Sequence, residues 1–269
     1  MNIRQGYLYA KQKLEQAGSE EAEAESKEIV ASLLGCSYGE LPLHYGEACP
    51  ARLEEILQKR LSGMPLAYAL REKHFYGLPF YVDERVLIPR YDTEILAEAA
   101  LDYVKNRPLR VLDLCCGSGC IGITLAKQSA AQVVLSDVSE DALAVARINA
   151  QKHGVCVELI QSDLFDKIDG KFDLIVSNPP YVTEEEYACL EAQVRDFEPR
   201  MALVGGLAYY RRIANEAKKF LKDGGALMLE IGCAQKEDVF KLLTGAAFKN
   251  IRCVKDLAQR DRVILCTKN

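Results

Sequence analysis

The chain has 269 residues and a net charge of −5, with 39 Asp and Glu against 34 Lys and Arg. That length holds one large or two modest domains with ample core. The acidic balance argues against a broad grip on phosphates, no apolar run is long enough for a membrane span, and no basic-then-apolar leader opens the chain. Ten cysteines include no Cys-x-x-Cys pair and only three histidines accompany them. Neither a metal site nor a disulfide framework is expected; reduced thiols in a cytoplasm fit this usage.

Residues 1–73 carry helical patterns broken at Gly18, Gly35, Pro42, Pro50 and Gly63-Met64-Pro65. Leu53, Ile56, Leu57 and Leu61 follow helical spacing. Glu20, Glu21, Glu23, Glu25 and Glu28 read as a solvated helix face. Residues 74–89 alternate in the manner of a β-hairpin, with Gly77 at the turn, within a linker at 74–92. From 93 to 269 helical and strand patterns alternate. Strands are expected at 110–114, 133–136, 157–162, 172–176, 226–231, 250–254 and 262–266. Such alternation implies an α/β fold with a mostly parallel sheet under helices. The last two strands leave no room for a helix between them, so they should pair antiparallel.

The first strand of that series runs into Cys115-Cys116-Gly117-Ser118-Gly119-Cys120-Ile121-Gly122 and then a helical pattern. Glycines there allow a tight turn and close approach of backbone N–H groups to a ligand. Asp137 ends the next strand, where an acid can bind ribose hydroxyls. Asp163 ends the third and suits an adenine amino group. Asp113, inside the first strand's end, would repel a pyrophosphate but suits an ammonium. Three acids at successive strand ends therefore favour S-adenosylmethionine over a nicotinamide dinucleotide. Each acid also has a simpler role available, as a helix N-cap or turn residue.

The most informative segment is Ser177-Asn178-Pro179-Pro180-Tyr181. Two prolines end the strand before them. They leave a rigid bend with an amide side chain, free carbonyls and an aromatic ring. The Asn178 carbonyl oxygen and the Pro179 carbonyl can each accept one hydrogen of a planar NH2 group, with Tyr181 on its face. Asn-Pro is also a common turn initiator.

From Gly63 to Val263 the chain resembles the peptide chain release factor N5-glutamine methyltransferase family (PrmC/HemK). The resemblance rests on Met64-Pro65-Leu66-Ala67-Tyr68, Phe75-Tyr76-Gly77-Leu78-Pro79-Phe80, Val86-Leu87-Ile88-Pro89-Arg90, Val111-Leu112-Asp113-Leu114, Ser177-Asn178-Pro179-Pro180-Tyr181, Arg195-Asp196-Phe197-Glu198-Pro199-Arg200 and Lys255-Asp256-Leu257-Ala258. It implies a seven-stranded class I S-adenosylmethionine-dependent methyltransferase domain at 93–269 with its last strand antiparallel. It also implies a helical domain at 1–73 that docks a release factor, joined through the hairpin at 74–92. The implied reaction methylates the side-chain nitrogen of Gln in the factor's Gly-Gly-Gln motif. Asn178, Pro179 and Tyr181 are the implied catalytic residues. The cofactor set is Asp113, Cys115, Gly117, Gly119, Cys120, Asp137, Val138, Asp163, Leu164 and Asn178. The substrate set is Asn178, Pro179, Pro180, Tyr181, Arg90 and Thr93. A monomer acting on protein, without membrane or direct nucleic-acid contact, is expected.

The chain departs from the family pattern at three places. Tyr91-Asp92 stands where Pro-Glu is usual, Arg71 stands where Gly is usual, and the loop after Gly205-Gly206 is shorter. Two other readings stay open at this point. One is an adenine-N6 nucleic-acid methyltransferase, which shares the Asn-Pro-Pro-Tyr motif. The other is a cofactor-binding module of reduced activity, through the shortened loop.

Overall fold

A computed structural model describes residues 1–105 and 107–269. The chain divides into two compact units, Met1–Arg71 with Glu191–Phe197, and Glu72–Leu190 with Glu198–Asn269.

The first unit is helical: α1 (Ile3–Gln16), α2 (Ala22–Leu34), α3 (Arg52–Leu61) and α4 (Leu66–Leu70). Asn2 caps α1 through a reciprocal capping box with Gln5. Leu14, Ile29, Leu53, Ile56 and Leu57 form its buried apolar centre. Arg71 ends α4 with φ of +60°, a left-handed cap that explains a preference for glycine there.

The second unit opens with a hairpin, β1 (Lys73–Phe75) and β2 (Leu78–Phe80). Tyr76 and Gly77 both have positive φ, as a two-residue primed turn requires. The hairpin is shorter than the alternation through Pro89 suggests. After Phe80 the chain leaves the ladder, and Asp83 gathers a turn by accepting from Arg85 N at 3.2 Å.

Then follow α5 (Glu94–Val104), β3 (Arg110–Leu114), α6 (Cys120–Gln128), β4 (Gln132–Asp137), α7 (Glu140–His153), β5 (Glu158–Gln161) and β6 (Phe172–Ser177). In chain order come α8 (Glu184–Ala188), α9 (Ala192–Phe197), which belongs to the first unit, and α10 (Arg200–Leu203), before α11 (Ala208–Phe220). The chain ends with β7 (Leu221–Glu230), α12 (Lys236–Gly245), β8 (Lys249–Lys255) and β9 (Asp261–Thr267). Strand order is β5-β4-β3-β6-β7-β9-β8. β9 runs antiparallel to both neighbours and lies between β7 and β8.

Period-two alternation assigns side chains to the two faces of the sheet. Val111, Val133, Leu135, Leu174, Val176 and Met228 pack with α5, α6 and α7. Leu112, Leu114, Val134, Ile175, Leu227 and Leu229 pack with α11 and α12. Burial on both faces explains why these strands read as continuous apolar runs. The chain crosses from one side of β3 to the other between β5 and β6. That switch point opens a crevice at the carboxyl ends of β3, β4 and β6, where open α/β sheets bind ligands.

Candidate active site

A cleft fills the crevice. Its floor comes from strand ends: Cys115 and Gly117 after β3, Asp137 and Val138 at β4, Asp163 and Leu164 after β5, Asn178 and Pro180 after β6. Val86, Leu87, Met201 and Tyr209 add apolar walls.

The glycine loop is built from strained but satisfied backbone. Cys115, Gly117 and Gly119 have φ of +57°, +53° and +78°. Asp137 Oδ2 accepts from Gly117 N at 2.9 Å, and its Oδ1 accepts from Ser139 N at 3.0 Å. A Cβ on Gly122 would stand 2.3 Å from Leu135 Cδ2, so only glycine lets α6 lie this close to β4. Burial raises the Asp137 carboxyl above its ordinary value, and the backbone N–H groups oppose that rise.

Asp113 takes a different place from the one its strand-end position suggests. Its Oδ2 accepts from Gly122 N at 2.8 Å, and the residue is fully buried. Its register in β3 turns it beneath the loop, toward α6, instead of into the cleft. Burial pushes its carboxyl up to about 7. Gly119 and Cys120 likewise support the loop from below; neither lines the cleft. The thiols of Cys115 and Cys116 are raised by burial and that of Cys120 is pushed up to about 12, so none is a reactive thiolate.

A second, smaller cavity adjoins the first. Leu87, Arg90, Pro179, Tyr181, Val182, Leu203 and Glu230 line it together with Asn178. Asn178 therefore borders both cavities. Its Nδ2 donates to Thr93 Oγ1 at 3.3 Å, which leaves the carbonyl end available as an acceptor. Thr93 itself is buried, and its hydroxyl favours the charged form of the neighbouring Glu230 carboxyl.

The bend carrying Asn178 is held from several directions. Ser177 Oγ donates to Leu114 O at 2.8 Å, which ties β6 to β3. Gln235 Nε2 donates to Tyr181 O at 2.9 Å, while Gln235 Oε1 accepts from Gly232 N at 3.0 Å. The Tyr181 phenol is pushed up to about 12, chiefly by burial. The short loop after Gly206 also packs here. Val182 O accepts from both Gly205 N and Gly206 N, and α11 begins two residues after Gly206. Arg90 is fixed by Glu198, which also accepts from Ile88 N at 3.2 Å. Asp92, at the family's usual glutamate, reaches Arg262 at 3.0 Å, while Tyr91 is exposed with Lys73 over its ring.

Several residues of this site carry no local signal in the sequence. Glu230 ends an ordinary apolar strand. Gln235 lies in an unremarkable turn. Asn149, in mid-helix, bonds Tyr81 N, Tyr81 O and Ser118 O and so joins the hairpin extension to the glycine loop. Asp163, expected to face an adenine, lines the cleft but is half-exposed and pairs with Arg212 at 2.8 Å.

The donor set suits a cationic nucleoside and not a dinucleotide. The one cationic side chain among the described lining residues, Arg85, is engaged by Asp83. Two carboxylates and apolar walls fit ribose, an adenine ring and a positively charged sulfur.

Residues 92–259 match the family model of the Methyltransferase small domain, and residues 7–70 match that of the PrmC N-terminal domain. The release factor glutamine methyltransferase of Clostridium acetobutylicum is 42% identical over 80% of this chain and 79% of its own. That of Geobacter sulfurreducens is 38% identical over 96% of this chain and 92% of its own. In fold, the chain is similar to the T. thermophilus 16S rRNA N2 G1207 methyltransferase solved with AdoMet and guanosine. There the TM-score is 0.56 at 19% identity, over 74% of this chain and 50% of that one.

Proposed function

This chain belongs to the release factor glutamine methyltransferase family, and we propose that it methylates the side-chain nitrogen of the Gly-Gly-Gln glutamine of peptide chain release factors. The observation that carries this reading is that Asn178 borders both cavities. The cleft over the glycine loop takes S-adenosylmethionine, and the smaller cavity takes the glutamine side chain.

When bound, S-adenosylmethionine supplies a methyl group on a cationic sulfur. The residues of this chain prepare its acceptor. An amide nitrogen is a poor nucleophile because its lone pair is delocalised. Asn178 Oδ1 and the Pro179 carbonyl accept its two hydrogens, which raises electron density on nitrogen and fixes its line of approach. Tyr181 holds the amide plane. Held there, that nitrogen would take the methyl and leave the cofactor as a neutral thioether. The N–H acidity that develops lets solvent take the proton, so no strong base is needed. Asp137 and Asp163 serve the ribose and adenine, with Val138 and Leu164 against the ring.

The helical unit docks the release factor, and Arg90 with the Pro180 bend frames the mouth. We place the enzyme in the cytoplasm, a reducing compartment that suits ten free cysteines, and take it to act as a monomer. The net charge of −5 favours a protein substrate over a nucleic acid. Incubation with S-adenosylmethionine and a release factor, read by mass spectrometry of the Gly-Gly-Gln peptide, tests the assignment. One methyl on that glutamine is expected; transfer to DNA adenine with none to the factor overturns it.

A further inference from the structure

We propose that Glu230 is a positioning residue for Asn178, acting through the Thr93 hydroxyl to fix which end of the Asn178 amide faces the methyl acceptor. The inference rests on the reading that Asn178 holds the target glutamine.

Three elements meet here. Thr93 immediately precedes α5, Asn178 follows β6, and Glu230 ends β7. Asn178 Nδ2 donates to Thr93 Oγ1 at 3.3 Å, and the Thr93 hydroxyl stands beside the Glu230 carboxyl, where it favours the charged form. Thr93 is 2% exposed and Glu230 1%.

An asparagine amide turned end for end exchanges an acceptor for two donors. The turned form would present NH2 to the NH2 of the substrate and could not hold it. Thr93 alone does not prevent this turn, since a hydroxyl both donates and accepts. An ionised carboxylate only accepts. Glu230 therefore claims the single hydroxyl hydrogen of Thr93 and leaves only lone pairs toward Asn178. Those lone pairs select the NH2 end of Asn178, and the carbonyl end is left for the substrate.

A second observation supports a functional reason for this carboxylate. Glu230 Oε2 has no hydrogen-bond partner among the described residues. Burying such a group opposes folding. Glu230 also lines the smaller cavity beside Asn178, Pro179 and Tyr181, so its place is at the acceptor's site and not in a remote core.

The test is single-turnover methyl transfer to an intact release factor at saturating S-adenosylmethionine and mildly alkaline pH. Glu230→Gln and Thr93→Val are each expected to slow transfer by roughly tenfold or more, as for a lost preorganised contact. Thr93→Ser, which keeps the hydroxyl, should stay within about threefold of the wild type. Because both residues act through one chain of bonds, the double variant should be no slower than Thr93→Val alone. Cofactor affinity, titrated in parallel, should hold in every variant. Glu230→Gln at the wild-type rate, or losses that multiply in the double variant, would overturn the inference. Should Glu230→Gln fail to fold, Thr93→Val at the wild-type rate overturns it equally. A wild-type protein that moves no methyl would instead overturn the parent reading.

Discussion

Asp137 receives the Gly117 N–H at 2.9 Å, so the acid that ends β4 also shapes the loop that follows β3. One carboxylate thus joins two parts of the cofactor cleft. Asp137→Ala removes the proposed ribose acceptor and releases the left-handed turn at Gly117 together. Cofactor binding should weaken by about 1–3 kcal/mol, as for lost hydrogen bonds to a buried partner. Calorimetric titration with S-adenosylmethionine reads this directly. Affinity equal to the wild type would remove Asp137 from the site.

Asn178→Ala should slow methyl transfer by roughly a hundredfold or more while cofactor affinity changes little. The other strand ends supply most of the cleft, and Asn178 touches only its border. Asn178→Asp is the sharper variant. It keeps an acceptor but loses the NH2 that donates to Thr93, and it adds a negative charge near the cationic sulfur. Cofactor binding should tighten while transfer stays below the wild type. If Asn178 were only a turn former, both variants would melt earlier and the folded fraction would turn over normally. Single-turnover assays beside thermal melts separate these outcomes.

The motifs were legible in the sequence where local chemistry forces a structure. Two prolines must end β6, and Gly117 and Gly119 supply left-handed turns that the loop needs. The mostly parallel sheet and the antiparallel β8–β9 pair followed from alternation and from the short link before β9. Side-chain facing was not legible at a strand end. Asp113 and Asp137 look alike in sequence, yet one is sealed beneath α6 and the other lines the cleft. Only pairing register decides that, because one residue of shift exchanges the faces. Contacts between distant elements were equally hidden. Thr93, Asn178 and Glu230 belong to three separate stretches, and nothing local marks Glu230 as their anchor.

The short loop after Gly206 works as a packed clasp. A Cβ at Gly205 would stand 2.4 Å from the Pro180 carbonyl oxygen and 2.6 Å from Tyr209 Cδ2. Backbone cannot yield as a flexible side chain does, so Gly205→Ala must displace the Asn-Pro-Pro-Tyr bend. A loss of about 1–3 kcal/mol of stability is expected, with transfer falling further than stability explains. Thermal melts and transfer rates measured below the melting range check this. An unchanged rate in the folded variant would show that the loop is not coupled to the bend.

The buried carboxylate of Glu230 makes stability depend on pH in a determined direction. Burial pushes it up to about 7 from an ordinary 4.5, with the Thr93 hydroxyl and Arg262 opposing the rise. Below 4.5 both folded and unfolded chains hold the proton, and the group contributes no pH dependence. Between those values the folded chain holds the proton and the unfolded chain has lost it. Stability then falls as pH rises, and the loss is complete above about 7. Glutamine cannot ionise, so Glu230→Gln should match the wild type only below about pH 4.5. At mildly alkaline pH it should be more stable by on the order of 1–3 kcal/mol. Asp113, also pushed up to about 7, adds a slope of the same sign that the variant retains. Melts of both proteins across this range give the difference. A variant less stable at alkaline pH would mean that Arg262 more than offsets the burial of the charge. The expected pattern, greater stability with slower transfer, is that of a side chain kept for catalysis at a cost to the fold.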